Sequence, residues 1–195
     1  MGRLKGCPVV AKIAMSKHES VFREADSIEE NALRIDEERS EQIIDALNTD
    51  LASTYVLYHQ LKKHHWNVAG AEFRDLHVFL GDIAMEAEAF ADELAERAQA
   101  LGGVPLAGGA NFEEHAPIEP EGDDVYDIRT SLERDLELYG EIIESLRDHI
   151  DLFENLGDHA TAHIYRENLI DVEEAAHHLE HYLEDDTLVL SEATK

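Results

Sequence analysis

The stretch His64–Gly103 reads HHWNVAGAEFRDLHVFLGDIAMEAEAFADELAERAQALGG, a polar turn followed by one long helical pattern. Apolar side chains recur along it at steps of three and four residues, which is the spacing of an amphipathic helix. The pair Gly102-Gly103, followed by Pro105, is a typical end for such a helix. We therefore predict a helix over residues 71–101.

The same amphipathic pattern occurs in three other segments, one before this stretch and two after it. The first begins near Glu41 and stops at the turn Asn67–Gly70. The connection over residues 102–123 holds three of the four prolines, and caps at Asp124 and Asp158 open the third and fourth helices. Four helices of about 26 to 31 residues, with a long crossover between the second and third, predict an all-α, ferritin-like four-helix bundle.

The rest of the chain is predicted to flank this bundle. The bundle occupies residues 40–184, between a flexible N-terminal tail at 1–39 and a C-terminal tail at 185–195. Met15 is an alternative start, which would make residues 1–14 an upstream extension.

Cysteine usage and hydropathy indicate the compartment. The single Cys7 excludes a disulfide framework within the chain and fits a reducing environment. No apolar run approaches the length of a membrane span. We expect a cytoplasmic protein without a membrane partner.

Charge is the most unusual property of the composition. The 16 Lys and Arg residues face 44 Asp and Glu residues, so the net charge is -28. Because 44% of the residues are hydrophobic, this acidic excess belongs to the surface of a globular protein and does not indicate disorder. Adaptation to high salt is the favoured explanation, and a surface that attracts cations is a second one compatible with it. A polyanion repels phosphates, so the composition argues against DNA binding.

Four side chains of metal-binding type lie on or beside the second helix. His65 precedes the turn, and His77 lies in the first turns of the helix. Asp92 and Glu96 follow at a spacing of i, i+4, which places both carboxylates on one face. At about 1.5 Å per residue, His77 and Asp92 are about 22 Å apart and cannot share a metal within one copy. Two copies packed antiparallel across a two-fold axis would bring the histidines of one chain to the carboxylates of the other.

Two imidazoles and two carboxylates form a mixed nitrogen and oxygen set that suits Fe(II), with Mn and Zn as competitors. Simpler explanations exist for each residue. In so acidic a chain, Asp92 and Glu96 can be solvated helix surface. His77 can be an exposed helix residue, and His65 can interact with the dipole at a helix end. Spacing alone leaves both explanations open.

Sequence motifs in this region are more specific than its spacing. They are His65-Trp66-Asn67, Gly70-x-x-Phe73, His77 twelve residues after His65, and Asp92-x-x-x-Glu96-Arg97 before Leu101-Gly102-Gly103. On these motifs, residues 40–184 resemble the Dps family of ferritin-like mini-ferritins. The resemblance is strongest to the acidic Dps proteins of halophilic archaea, which also fits the composition.

The resemblance implies a hollow homododecamer that oxidises Fe(II) and stores Fe(III) as mineral. Hydrogen peroxide is the expected oxidant in preference to oxygen, and its removal together with Fe(II) would protect against oxidative stress. The resemblance also implies a ferroxidase site at the dimer interface. Its metal ligands would be His65 and His77 of one chain with Asp92 and Glu96 of the partner.

Gly81 departs from the family pattern, because many members carry an aspartate there. Asp82 is adjacent, but one residue along a helix is about 100° further round. We therefore expect a weaker second iron position. On the inner surface, Asp82, Glu86 and Glu88 could nucleate mineral, although acids are a weak signal in this chain.

Two further clusters contain candidate metal ligands. In the family, the start of the fourth helix lines pores at a three-fold axis, and the residues here that could line an iron-uptake pore are Asp158, His159, His163 and Glu167. The alternative is that they only cap and decorate an exposed helix start. The second cluster is Glu174-x-x-His177-His178-x-x-His181. A di-iron centre inside a bundle needs this motif on two helices, and the second helix offers only Glu93-x-x-Glu96. We reject such a centre and expect surface histidines or a minor metal site.

Two other functions remain as alternatives to a ferroxidase. The first is DNA binding by a nucleoid-protecting protein, which the charge disfavours. The second is a passive metal buffer without redox turnover.

Overall fold

The computed structural model describes residues 20–184 and places five α-helices along them. These helices are α1 Glu37–Asn67, α2 Phe73–Ala100, α3 Gly109–His115, α4 Ile128–Leu156 and α5 His159–Leu183. The four long ones confirm the predicted all-α bundle. Cys7, Met15 and the predicted C-terminal tail at 185–195 lie outside the described residues.

Helix starts differ in detail from those that the sequence predicts. Helix α1 begins after the cap Asp36, whose carboxylate accepts a hydrogen bond from the Arg39 backbone NH at 3.1 Å. Helix α4 is capped by Asp127 and not by Asp124, because the Asp127 carboxylate accepts from the Thr130 NH at 3.1 Å. Both residues are good caps, so their identity alone could not choose between them.

The core lies between the apolar faces of the four long helices. Its fully buried side chains include Leu47, Leu61, Leu80, Leu94, Leu146, Phe153, Tyr165 and Leu179. Helix α1 packs chiefly on α2, and α4 packs chiefly on α5. Because the turns α1–α2 and α4–α5 are short, each pair forms an antiparallel hairpin. No helix among residues 20–184 is both long and apolar enough to cross a membrane.

The crossover between α2 and α4 runs along α1. Its contacts follow the helix in order, from Gly103 on Ile44, through Leu106 on Asn48 and Phe112 on Tyr55, to Glu121 on Gln60. The segment contains α3, which the sequence did not predict because its proline and glycine content is typical of irregular structure. The crossover therefore spans the bundle from one end to the other, as predicted.

A buried ionic cluster fixes the far end of the crossover. The Glu121 carboxylate lies 2.6 Å from both Lys63 Nζ and His64 Nε2. His64 Nδ1 lies 2.7 Å from the Asp135 carboxylate, which also accepts from Gln60 at 2.9 Å. Burial alone would lower the pKa of His64, but the hydrogen bonds and charges of Asp135 and Glu121 raise it above its ordinary value. The cluster ties α1, α4 and the crossover together.

Residues 20–36, which the sequence assigned to a flexible tail, are bound to the end of α2. The Glu29 NH donates to the Gly102 carbonyl at 3.0 Å, and Asn31 Nδ2 donates to the Leu101 carbonyl at 3.2 Å. Gly102 has φ +94°, and a Cβ there would lie 2.1 Å from the Glu29 carbonyl oxygen. Only glycine permits this approach, so the double glycine both ends α2 and receives the incoming chain.

Asp158 joins α5 to α2 through an ion pair. Its carboxylate accepts from Arg97 at 2.7 and 2.8 Å and caps α5 through the Thr161 NH at 3.1 Å. Burial alone would raise the pKa of Asp158, but Arg97 and Thr161 lower it below its ordinary value. The predicted cap is confirmed. The predicted exposure of Asp158 toward a pore is not found, because its carboxylate faces the protein.

Replacing Asp158 tests the importance of this ion pair. Asp158→Ala removes a helix cap and leaves Arg97, whose side chain is 13% exposed, without its carboxylate. We expect the free energy of unfolding to fall by about 3 kcal/mol. The control Asp127→Ala removes only an exposed cap and should cost clearly less. Denaturant titration of both variants beside the wild type measures the difference, and equal losses would contradict the buried pairing.

Candidate metal centre at the turn between α1 and α2

The imidazoles of His65 and His77 lie face to face across the α1–α2 turn. Their ring centroids are 3.8 Å apart, with an angle of 19° between the ring planes. The Phe73 ring also stacks with His77, at a centroid distance of 5.2 Å. The turn therefore brings together two histidines that are twelve residues apart in the sequence.

Hydrogen bonds to the backbone fix both rings. His65 Nδ1 lies 2.6 Å from the His77 carbonyl oxygen, and His77 Nδ1 lies 2.8 Å from the His65 carbonyl oxygen. Because a carbonyl oxygen only accepts hydrogen bonds, each Nδ1 carries a proton and donates it. In the neutral rings the lone pair is then on Nε2, the nitrogen that can bind a metal. Reciprocal bonding of this kind could not be predicted from residue spacing.

Gly81 lies one turn after His77 and provides space for the His65 ring. A Cβ at this position would lie 3.0 Å from both Cε1 and Nδ1 of His65. An aspartate here would therefore have to displace the ring. The departure from the family pattern has a steric reason in this chain, which the sequence did not reveal.

The carboxylates of Asp92 and Glu96 lie further along α2. Both residues are exposed, and their side chains form no hydrogen bond or ion pair with any other described residue. Together with Glu88, Asp92 adds to the effect of burial in raising the pKa of Tyr55. Within residues 20–184, no three His, Cys, Asp or Glu side chains come together as a possible metal site. One chain thus presents the four predicted ligands as two separate halves.

Three large apolar side chains are exposed at the end of α1 and along α2. Trp66, Val78 and Met85 are exposed by 67%, 51% and 63%. Lys62 Nζ lies 6.0 Å from the centre of the Trp66 ring. Exposed apolar side chains of this size are enriched at protein interfaces.

The other predicted ligands form two groups in the structure. At the start of α5, His159, His163 and Glu167 are exposed, and His163 Nε2 lies 3.6 Å from Glu167. The second group contains Asp82, Glu86 and Glu88, which are exposed on α2. Burial, followed by the charges of Asp171 and Asp82, raises the pKa of Glu86. The Glu86 carboxylate therefore lies among negative charges that favour a cation.

A glycine-to-alanine pair tests the space around His65. In a helix this change ordinarily stabilises by about 1 kcal/mol. Gly140→Ala should show that gain, because nothing lies within 4 Å of the new Cβ. Gly81→Ala should instead destabilise by about 1 kcal/mol, since the methyl group presses on the His65 ring. Denaturant titration compares the two, and equal stabilisation would contradict the close contact.

Comparison with known proteins identifies the family. The chain matches the ferritin-like domain family over residues 44–189. A "DNA protection during starvation protein" of Halobacterium salinarum is 66% identical over 159 residues, which cover 82% of this chain and 87% of that protein. A "Nutrient stress-induced DNA-binding protein" of Nostoc sp. is 35% identical over 176 residues, which cover 90% and 96%.

Solved structures agree with this match. An archaeal Dps homologue from Halobacterium salinarum has a TM-score of 0.87 and 61% identity, covering 91% of this chain and 99% of that chain. Dps from Vibrio cholerae, described as a member of a broad superfamily of ferritin-like diiron-carboxylate proteins, has a TM-score of 0.75 and 26% identity over 84% and 100%. Both the predicted fold and the predicted resemblance are confirmed: the chain belongs to the Dps family of ferritin-like proteins.

Proposed function

We propose that this protein is a ferroxidase that oxidises Fe(II) at sites shared between two chains and stores the Fe(III) in a hollow dodecameric shell. The observation that carries the proposal is the pair of imidazoles with their Nδ1 atoms bound to backbone carbonyls. This arrangement leaves two Nε2 atoms available at one end of α2. The carboxylates of Asp92 and Glu96, which have no partner among the described residues, lie about 22 and 28 Å further along the helix.

An antiparallel dimer would unite the two halves. A two-fold axis across α2 would bring His65 and His77 of one chain to the carboxylates at positions 92 and 96 of the other, and it would do so twice. The apolar side chains of Trp66, Val78 and Met85 supply the surface that such a dimer would bury. The related Dps from Vibrio cholerae is described as a member of a superfamily of ferritin-like diiron-carboxylate proteins. This relationship supports iron as the metal.

The residues have distinct roles in this proposal. The carboxylates of Asp92 and Glu96 neutralise the charge of the iron, and the imidazoles set its geometry. Iron is the substrate here. Two Fe(II) ions give one electron each to hydrogen peroxide, which takes up two protons and leaves as two water molecules. Consumption of both reagents together avoids hydroxyl radical, and the reaction would therefore protect the cell. We propose the cytoplasm as its location, because the single Cys7 fits a reducing compartment.

Iron would reach and leave the oxidation site through acidic and imidazole-bearing surfaces. We propose His159, His163 and Glu167 as the ligands of an uptake pore, without Asp158, whose carboxylate is bound to Arg97. The acids Asp82, Glu86 and Glu88 are the proposed nucleation sites. Because Gly81 offers no carboxylate, we expect each oxidation site to hold one iron tightly and a second iron more weakly.

Mixed assemblies test whether the site is shared. The variants His65→Ala/His77→Ala and Asp92→Ala/Glu96→Ala should each assemble but lose rapid Fe(II) oxidation. When both are expressed together, half of the dimers are mixed and each mixed dimer regains one of its two sites, so about a quarter of the wild-type rate should return. Stopped-flow absorbance after addition of Fe(II) and hydrogen peroxide measures this rate.

The controls separate the remaining possibilities. Mixed shells that stay inactive would contradict sharing of the site. If the wild-type protein forms Fe(III) no faster than the protein-free solution, it only binds the metal. That result would refute the proposed ferroxidase activity. The same measurement with oxygen in place of peroxide establishes the oxidant.

DNA protection is a second candidate function, because relatives are described as DNA-protecting and DNA-binding proteins. Those descriptions run against the expectation, drawn from the net charge of -28, that this chain does not bind DNA. Phosphate contacts depend on lysine and arginine and weaken steeply as salt increases. The charge therefore still favours protection of DNA through iron chemistry over direct binding.

A mobility-shift titration decides between these routes. We expect linear duplex DNA to migrate freely beside the assembled protein at high salt, because the net charge of -28 repels the phosphates and salt weakens any contact with them. The titration should extend from low to high salt at constant protein concentration. Retention of DNA at high salt would establish direct binding.

A further inference from the structure

Two exposed histidines on the last turns of α5 face each other. His177 and His181 are four residues apart, so they lie one above the other on the same side of the helix. Their ring centroids are 4.3 Å apart, and the two Nε2 atoms are separated by 3.1 Å. Both side chains are more than half exposed, at 60% and 54%. The pair is therefore open to solvent in the chain.

Carboxylates lie on the opposite side of each ring. Glu184 lies 3.2 Å from His181 Nδ1, and Glu180 lies 3.7 Å from His177 Nδ1. A carboxylate beside Nδ1 favours the tautomer with its proton there, and it makes Nε2 a better ligand. Without a metal, one Nε2 donates a hydrogen bond to the other, and a metal ion would take the place of that shared proton. The two carboxylates add negative charge behind the rings.

The separation of the nitrogens matches a chelate. Two metal–nitrogen bonds of about 2.0 to 2.1 Å that end on atoms 3.1 Å apart enclose an angle of about 95–100°. An angle near 90° is that of neighbouring positions in a square-planar or tetragonal complex. A helix holds the two imidazoles at this spacing without any change in its backbone.

We propose that His177 and His181 bind one late divalent transition-metal ion, with Cu(II) as the preferred ion. Two imidazoles with open neighbouring positions suit Cu(II), which also stands highest in the stability order of the divalent first-row metals. Fe(II) stands low in that order, so the pair discriminates against the ion that the proposed ferroxidase oxidises. The site is separate from the one at the α1–α2 turn and uses none of its residues.

Neighbouring histidines provide internal controls. His178 is adjacent in sequence, but its ring lies 5.9 Å from Phe79. His159 and His163 have the same four-residue spacing near the start of α5, but His163 Nε2 points toward Glu167 at 3.6 Å. These residues are also histidines on α5, but they are not paired through their Nε2 atoms as His177 and His181 are.

Copper titration of the assembled, full-length protein tests the proposal. Cu(II) is added to chelator-treated protein, and bound equivalents per chain and the electron paramagnetic resonance spectrum are recorded. All variants are compared in the His65→Ala/His77→Ala background, because the imidazole pair at the α1–α2 turn would also bind Cu(II) and give a two-nitrogen signal. In this background, His177→Gln/His181→Gln should bind one equivalent fewer and lose the signal with hyperfine splitting from two nitrogens. His178→Gln should keep that signal. Glu184→Gln should retain the site with about 10- to 100-fold weaker affinity.

The outcome can overturn the proposal directly. An unchanged copper equivalent and an unchanged two-nitrogen signal in His177→Gln/His181→Gln would refute it. Equal loss in His178→Gln would show general binding by surface imidazoles and would refute it as well. Because both histidines are exposed, circular dichroism should confirm that the double variant folds. The result does not depend on whether the protein oxidises iron.

Discussion

Two reciprocal hydrogen bonds, each from an imidazole to the backbone of the other histidine, close the hairpin of α1 and α2. They join the two helices across the turn and fix both tautomers at the same time. Gly81 gives the His65 ring room in this arrangement, because a Cβ there would lie only 3.0 Å from its Cε1 and Nδ1 atoms. The position of the rings is therefore determined by the fold, and a metal does not have to organise them.

The rigidity of α2 explains why the proposed centre needs two chains. A continuous helix keeps its two ends apart, so ligands at positions 77 and 92 can meet only through a second copy. The buried cluster around Glu121 and His64 has a related effect at the end of α1, because it anchors the residue next to His65. Packing and buried charge thus hold one half of the centre in place before any partner arrives.

The sequence predicts the four long helices well, because their apolar periodicity is strong and their ends carry proline, glycine or capping residues. It also identifies the family through the motifs around His65 and Asp92. Several features escape it. The cap of α4 is chosen between two aspartates by local backbone geometry, the attachment of residues 20–36 depends on distant contacts, and the burial of Asp158 depends on Arg97. The last two follow from pairings over a long sequence distance, which local pattern does not encode.

The ion pair between Arg97 and Asp158 links two places in the proposed path of iron. Arg97 directly follows the carboxylate at position 96, and Asp158 directly precedes His159 at the proposed pore. The bridge therefore fixes the spacing between the mouth where iron would enter and the carboxylate that would receive it. In the proposed function, uptake and oxidation of iron would therefore both depend on this one ion pair.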